Sequence, residues 1–173
     1  MRMLILPKWL VSIKLYDESW AFDVQSGSVP EHVGQDDCLV GFSLGALTIL
    51  DASDRVKGRI ILVNPPLPKR NLFVWLMHWY RFFMREGLSS TRQKFTKNPF
   101  RFIVALVDCA RLLSKDFSPA LKALKERVVV VRGKGDDYFC DDVAVDFLKE
   151  LGVRVVEVDA GHNWSEEAEG VVC

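Results

Sequence analysis

A chain of 173 residues is the size of one ordinary domain and long enough to bury a substantial core. With 49% hydrophobic and 27% charged residues, the composition excludes a disordered or collagen-like polymer and predicts a packed globular fold. A formal net charge of zero excludes the overall basic excess that draws proteins onto nucleic acid, so no nucleic-acid partner is expected.

Met1 to Leu6 begins like a secretion signal, but Pro7-Lys8 interrupts the apolar run too early, and a first strand over residues 2–6 is the better reading. Trp20 to Val24 is a candidate extra strand, with only 12 residues between Val24 and Asp37, too few for a full crossover helix. Near-continuous apolar runs then predict strands at Cys38–Phe42, Arg59–Val63, Val128–Arg132 and Arg154–Val158. Between them, helices are expected at Ala46–Ala52, after Ser118-Pro119 as N-cap and first-turn proline, and at Asp141–Leu151 with Gly152 closing it. This alternation is that of an α/β fold with a mostly parallel sheet under flanking helices.

One stretch breaks the alternation. About 50 residues lie between the Asn64-Pro65-Pro66 turn and Ser118. They include Leu72 to Met84, apolar nearly all round, and Pro99 to Leu113, where Asn98-Pro99 marks a helix start. The domain organisation expected is therefore a single domain, 1–173, with 67–117 as a helical cap insertion. A helix apolar on every side must be covered by the sheet, by a substrate or by a membrane surface. Residues 69–115 also carry 10 Lys and Arg against 2 Asp and Glu, a local basic excess read first as a solvated face and second as attraction to an anionic substrate or membrane. The four cysteines, Cys38, Cys109, Cys140 and Cys173, show neither C-x-x-C pairing nor metal-ligand spacing, which predicts free thiols and a cytoplasmic location.

Gly41-Phe42-Ser43-Leu44-Gly45 carries the first chemical signal. A serine that attacks a carbonyl must stand clear of the backbone, and flanking glycines permit the sharp strand-to-helix turn that exposes it. Ser43 is thus the candidate nucleophile, the alternative being a glycine-rich turn chosen for tight packing. A base is needed, and the chain has 3 histidines. His162 follows the Arg154–Val158 strand in a loop, where open α/β sheets place active residues, whereas His78 lies within an aromatic helix and His32 in an acidic loop. The acid that orients the base is sought after the Val128–Arg132 strand, where Asp136 is favoured and Asp137 is the alternative.

On these motifs the chain resembles the α/β-hydrolase superfamily, particularly its small carboxylesterase-like members: Gly41 to Gly45 matches the nucleophile elbow, Gly133-Lys134-Gly135-Asp136 the acid turn, and Gly161-His162 the histidine loop. The resemblance implies a serine hydrolase acting through an acyl-enzyme on Ser43, with the backbone N–H groups of Trp9 and Leu44 as the oxyanion hole. The loop after the first strand departs from the family, with Pro7-Lys8 where many relatives have His-Gly. The partner expected is a small ester or thioester with an apolar acyl group, and neither metal nor organic cofactor is required, since this chemistry uses only side chains and backbone donors. The competing readings are a non-catalytic binding protein and a peripheral membrane protein.

Overall fold

The computed structural model of the chain describes residues 3–6, 34–86, 107–163 and 165–172. Its centre is a 5-stranded sheet of β1 (Met3–Leu6), β2 (Cys38–Phe42), β3 (Arg59–Val63), β4 (Val128–Gly133) and β5 (Arg154–Val158), in that spatial order. Every pairing is parallel, with Leu6 opposite Gly41, Gly41 opposite Leu62, and Gly133 opposite Val158. The strands lie where the apolar runs predict them. The candidate strand over 20–24 lies outside the described residues.

Because side chains alternate along a strand, one sequence supplies two cores. Leu39, Ile60, Leu62, Val128 and Val130 face a large cluster that includes α1 (Leu44–Asp51), α4 (Ser118–Leu124) and α5 (Asp142–Glu150). Cys38, Val40, Phe42, Val63 and Val131 face the other way, beneath Ala168 of α6 (Glu166–Val172). β2 is buried along its whole length and α1 from Leu44 to Leu50, so the serine turn between them is set in the most deeply covered part of the molecule. Cys38, Cys109 and Cys140 are buried, and none of the three forms a disulfide.

Two helix ends show how local chemistry fixes the elements. Asp141 caps α5 by accepting the Ala144 N–H, and the helix closes with Gly152 N–H to Lys149 O and Val153 N–H to Leu148 O. The start of α4 corrects the sequence reading by one residue: its N-cap is Phe117, not Ser118. Asp116 is the cause, since its carboxylate accepts both the N–H and the hydroxyl of Ser118 and so satisfies a donor that a capping serine would have served.

The long insertion contributes α2 (Leu72–Glu86) and α3, described over 107–113. The expected start of the second of these at Asn98-Pro99 lies outside the described residues. Helical spacing gives α2 an inner stripe of Trp75, His78, Trp79 and Phe82. Trp75 and Phe82 are buried, with the Trp79 ring tilted against Phe139 at 4.9 Å. Its outer stripe, including Leu72, Phe73, Leu76, Met77, Tyr80 and Met84, is exposed. Among the described residues no helix is long and apolar enough to cross a membrane.

Candidate active site

Ser43 is the joint between β2 and α1, with φ 52° and ψ −122°. A non-glycine residue held there stores roughly 1–3 kcal/mol of strain, which the surroundings must offset. They do so by tying the Ser43 N–H to Val63 O (2.8 Å) and the Ala46 N–H to Ser43 O (3.0 Å). Gly41 permits the close approach of α1, because a Cβ at that position would stand 2.6 Å from Ala46 Cα. A serine beginning a helix ordinarily caps it, but Ser43 makes no side-chain cap bond. Its hydroxyl instead lies 3.1 Å from Nε2 of His162.

The acid turn leaves β4 at Gly133 and folds onto the loop that follows β5. A Cβ on Gly133 would lie 2.3 Å from Gly161 O, so only glycine lets these two loops touch. Backbone bonds from Lys134 N–H to Val158 O and from Gly135 N–H to Ala160 O, each 2.9 Å, zip them together. Asp136 is thereby carried to 2.7 Å from Nδ1 of His162. Its carboxylate also accepts the N–H groups of Tyr138 and Phe139 on Oδ1 and of Cys140 on Oδ2. An ionised carboxylate can only accept, so Nδ1 carries the proton and Nε2 is left to accept from the Ser43 hydroxyl. Ser43, His162 and Asp136 are 9%, 6% and 0% exposed, so this line of hydrogen bonds is largely shielded from water.

The competing acids separate cleanly. Asp137 has a side chain 62% exposed and faces Arg85 at 4.0 Å, whereas Asp136 points inward. His78 sits on α2 and donates through Nδ1 to Tyr138 O, away from the serine hydroxyl in its bonding. Leu44 is the first residue of α1, so its N–H has no carbonyl to bond within the helix and stands at the positive end of the helix dipole beside Ser43. Trp9 and His32 lie outside the described residues.

Two contributors escape a reading by motif. Phe82 of α2 meets the His162 ring edge-on at 5.4 Å, with Phe139 at 4.5 Å and Phe42 at 5.6 Å, so three rings confine the imidazole. Its position seven residues after Trp75 places it on the inner stripe of α2, a signal the sequence carries. Asn64, at the end of β3, is 2% exposed, has φ 46° and bonds both the acid turn and the histidine loop. Its only mark in the sequence is an asparagine before a proline after a strand, which reads as an ordinary turn.

A family model described as the alpha/beta hydrolase family matches residues 14–172. The chain belongs to the alpha/beta hydrolase family. Several solved structures share the fold of this hydrolase at low identity. The N-formylmaleamic acid deformylase of Pseudomonas putida S16 is 15% identical with a TM-score of 0.60, covering 99% of this chain and 90% of that one. A thermophilic esterase from Thermogutta terrifontis is 13% identical with a TM-score of 0.53, over 94% and 82% of the two chains. An enol-lactonase from Burkholderia xenovorans is 20% identical with a TM-score of 0.50, over 80% of this chain and 63% of that one. At these identities the likeness is one of fold. A search of curated proteins gives no significant match.

The electrostatics of the hydrolase bear on its acid stability. Burial pushes the Asp136 carboxyl up, but the His162 imidazole and the N–H groups of Phe139 and Tyr138 outweigh it and hold the group below the ordinary carboxylate value. Asp141 is lowered likewise: burial opposes, while the paired Arg70 guanidinium prevails. A carboxyl with a depressed folded pKa binds its proton more weakly folded than unfolded, so it stabilises the fold above the unfolded value, about 3.9, and loses that contribution as pH falls through the lowered one. Thermal unfolding is therefore expected to show a midpoint that falls steeply below about pH 4. Asp136→Asn is expected to flatten part of that slope; an unchanged slope in the variant counts against the assignment.

Proposed function

We propose that this chain is a serine hydrolase that cleaves a carboxylic ester or thioester through an acyl-enzyme on Ser43. The observation that carries the reading is the unbroken line from Ser43 Oγ to His162 Nε2 and from His162 Nδ1 to Asp136 Oδ2, at 3.1 and 2.7 Å. His162 removes the hydroxyl proton as Oγ attacks the acyl carbon, and Asp136 stabilises the imidazolium that forms. The tetrahedral oxyanion is received by the Leu44 N–H and, by the family resemblance, that of Trp9. Collapse breaks the bond to the alcohol or thiol, which leaves with the proton from His162. Water, deprotonated by the same histidine, then releases the carboxylic acid and restores Ser43.

The segment 67–117 is proposed as the cap of this site, since α2 lays aromatic side chains against His162 through Phe82, and such a wall suits an apolar acyl group. An esterase and an enol-lactonase stand among the fold neighbours, and cleavage of a carboxylic ester is the reaction class proposed here. Among the described residues, three buried cysteines that form no disulfide support a cytoplasmic placement. A fluorophosphonate probe tests the reading: wild type is expected to be labelled covalently at Ser43, and Ser43→Ala not at all. Absence of labelling in wild type, or equal labelling of the variant, overturns it.

One observation favours a second reading, contact with an anionic membrane surface. The outer stripe of α2 exposes Phe73, Leu76, Met77, Tyr80 and Met84, and the sequence from Asn64 to Arg85 contains no acidic residue while Lys69, Arg81 and Arg85 stand exposed. Apolar anchoring with basic attraction is the recipe for interfacial binding. Co-sedimentation with vesicles containing phosphatidylserine is expected, weakened by high salt and by Phe73→Glu with Leu76→Glu. Binding indifferent to both changes sinks this reading.

A further inference from the structure

Asn64 has no part in the proton path, yet its side chain bonds three backbone groups beside it. Its backbone N–H donates to Val131 O at 2.9 Å, fixing the end of β3 against β4. Its Oδ1 accepts the N–H of Gly133 at 2.8 Å, where the acid turn begins. Its Nδ2 donates to Gly161 O at 3.1 Å and to His162 O at 2.8 Å. One amide thus joins the peptide that launches Asp136 to the carbonyl of the residue that faces Ser43.

We propose that Asn64 is a positioning residue that sets the main-chain position of His162 relative to Asp136 and Ser43; the inference rests on the catalytic reading above. The backbone bonds between the two loops reach as far as Ala160, through the Gly135 N–H, and the described bonds to the next two carbonyls both come from Asn64. Phe42, Phe82 and Phe139 confine the imidazole by apolar contact, which limits its tilt but fixes no height. Height is set by the hydrogen bonds, whose geometry is directional. Asparagine suits the place for two independent reasons. It tolerates the left-handed backbone at φ 46° better than other side-chain-bearing residues, and its amide alone offers two donors and an acceptor at that length. At 2% exposure water has little access to replace those bonds.

During turnover the imidazole must face the Ser43 hydroxyl, then the leaving group, then water, each within hydrogen-bond reach. A base displaced by about 1 Å costs on the order of 10²-fold in rate. Asn64→Asp keeps the shape and the acceptor for Gly133 but turns two donors into a carboxylate oxygen facing two carbonyl oxygens. Asn64→Gly keeps the backbone conformation and removes every side-chain bond.

The test compares wild type, Asn64→Asp and Asn64→Gly for kcat and KM on a short activated ester, and for the low-field proton NMR signal of the hydrogen between His162 Nδ1 and Asp136. The expected result is a kcat lower by about 10²-fold in Asn64→Asp with KM little changed, and a shifted or broadened low-field signal in both variants. Folded variants with kcat and signal unchanged overturn the proposal, however far their unfolding temperature drops. So does failure of Asn64→Gly to fold, because the side chain is then structural before it is positional. If wild type neither hydrolyses the ester nor takes the fluorophosphonate probe, the catalytic reading has failed, while the NMR comparison still decides whether Asn64 holds the His162–Asp136 pair.

Discussion

Ser43→Ala is expected to lower the rate of ester hydrolysis by on the order of 10⁶-fold, His162→Ala by a similar factor, and the double variant by no more than either alone. The non-additivity is the informative part. In the proposed mechanism Oγ attacks only while Nε2, 3.1 Å away, can take its proton, so removing either member removes the same step. What survives in each variant is the residual rate supplied by binding and by donors such as the Leu44 N–H. Steady-state kinetics of the two single variants and the double variant settle the matter. Losses that multiply would mean that the two residues act independently, and a Ser43→Ala chain as fast as wild type would remove the acyl-enzyme altogether.

Asp136→Asn is expected to cost about 10⁴-fold in kcat, whereas Asp137→Asn leaves the rate near that of wild type. The Asp136 carboxylate accepts from His162 Nδ1 and from the N–H groups of Tyr138, Phe139 and Cys140. An asparagine of the same shape turns an amide toward Nδ1 and favours the tautomer with its proton on Nε2, which cannot take one from serine. Asp137 stands in solvent opposite Arg85, a pairing of exposed groups worth little to stability or rate. Comparable small losses from both substitutions would show that neither acid orients the base.

The family match covers residues 14–172, but the distance between family and mechanism is bridged by particular residues. The serine turn is legible because its chemistry is local: Gly41 must lack a Cβ for Ala46 to approach, and a glycine two residues before a serine records that need. His162 and the acid turn are legible for a related reason, each directly following an apolar strand whose end the sequence marks. Choosing between Asp136 and Asp137 is a different problem, since neighbours on one turn look alike until the partner loop is present. The α4 boundary slipped for the same kind of reason, with the neighbouring Asp116 taking the hydrogen bonds that a capping serine would have formed.

By itself, then, the sequence determined the strands, their alternation with helices, and the three places where a serine, a histidine and an acid emerge, because apolar periodicity and glycine spacing are written along the chain. Tertiary structure alone decided which acid meets the histidine, that Phe82 walls the imidazole, and that Asn64 binds two loops. Those depend on contacts across 26, 80 and as many as 98 positions of chain, and no local pattern records which residues the packed sheet will bring together.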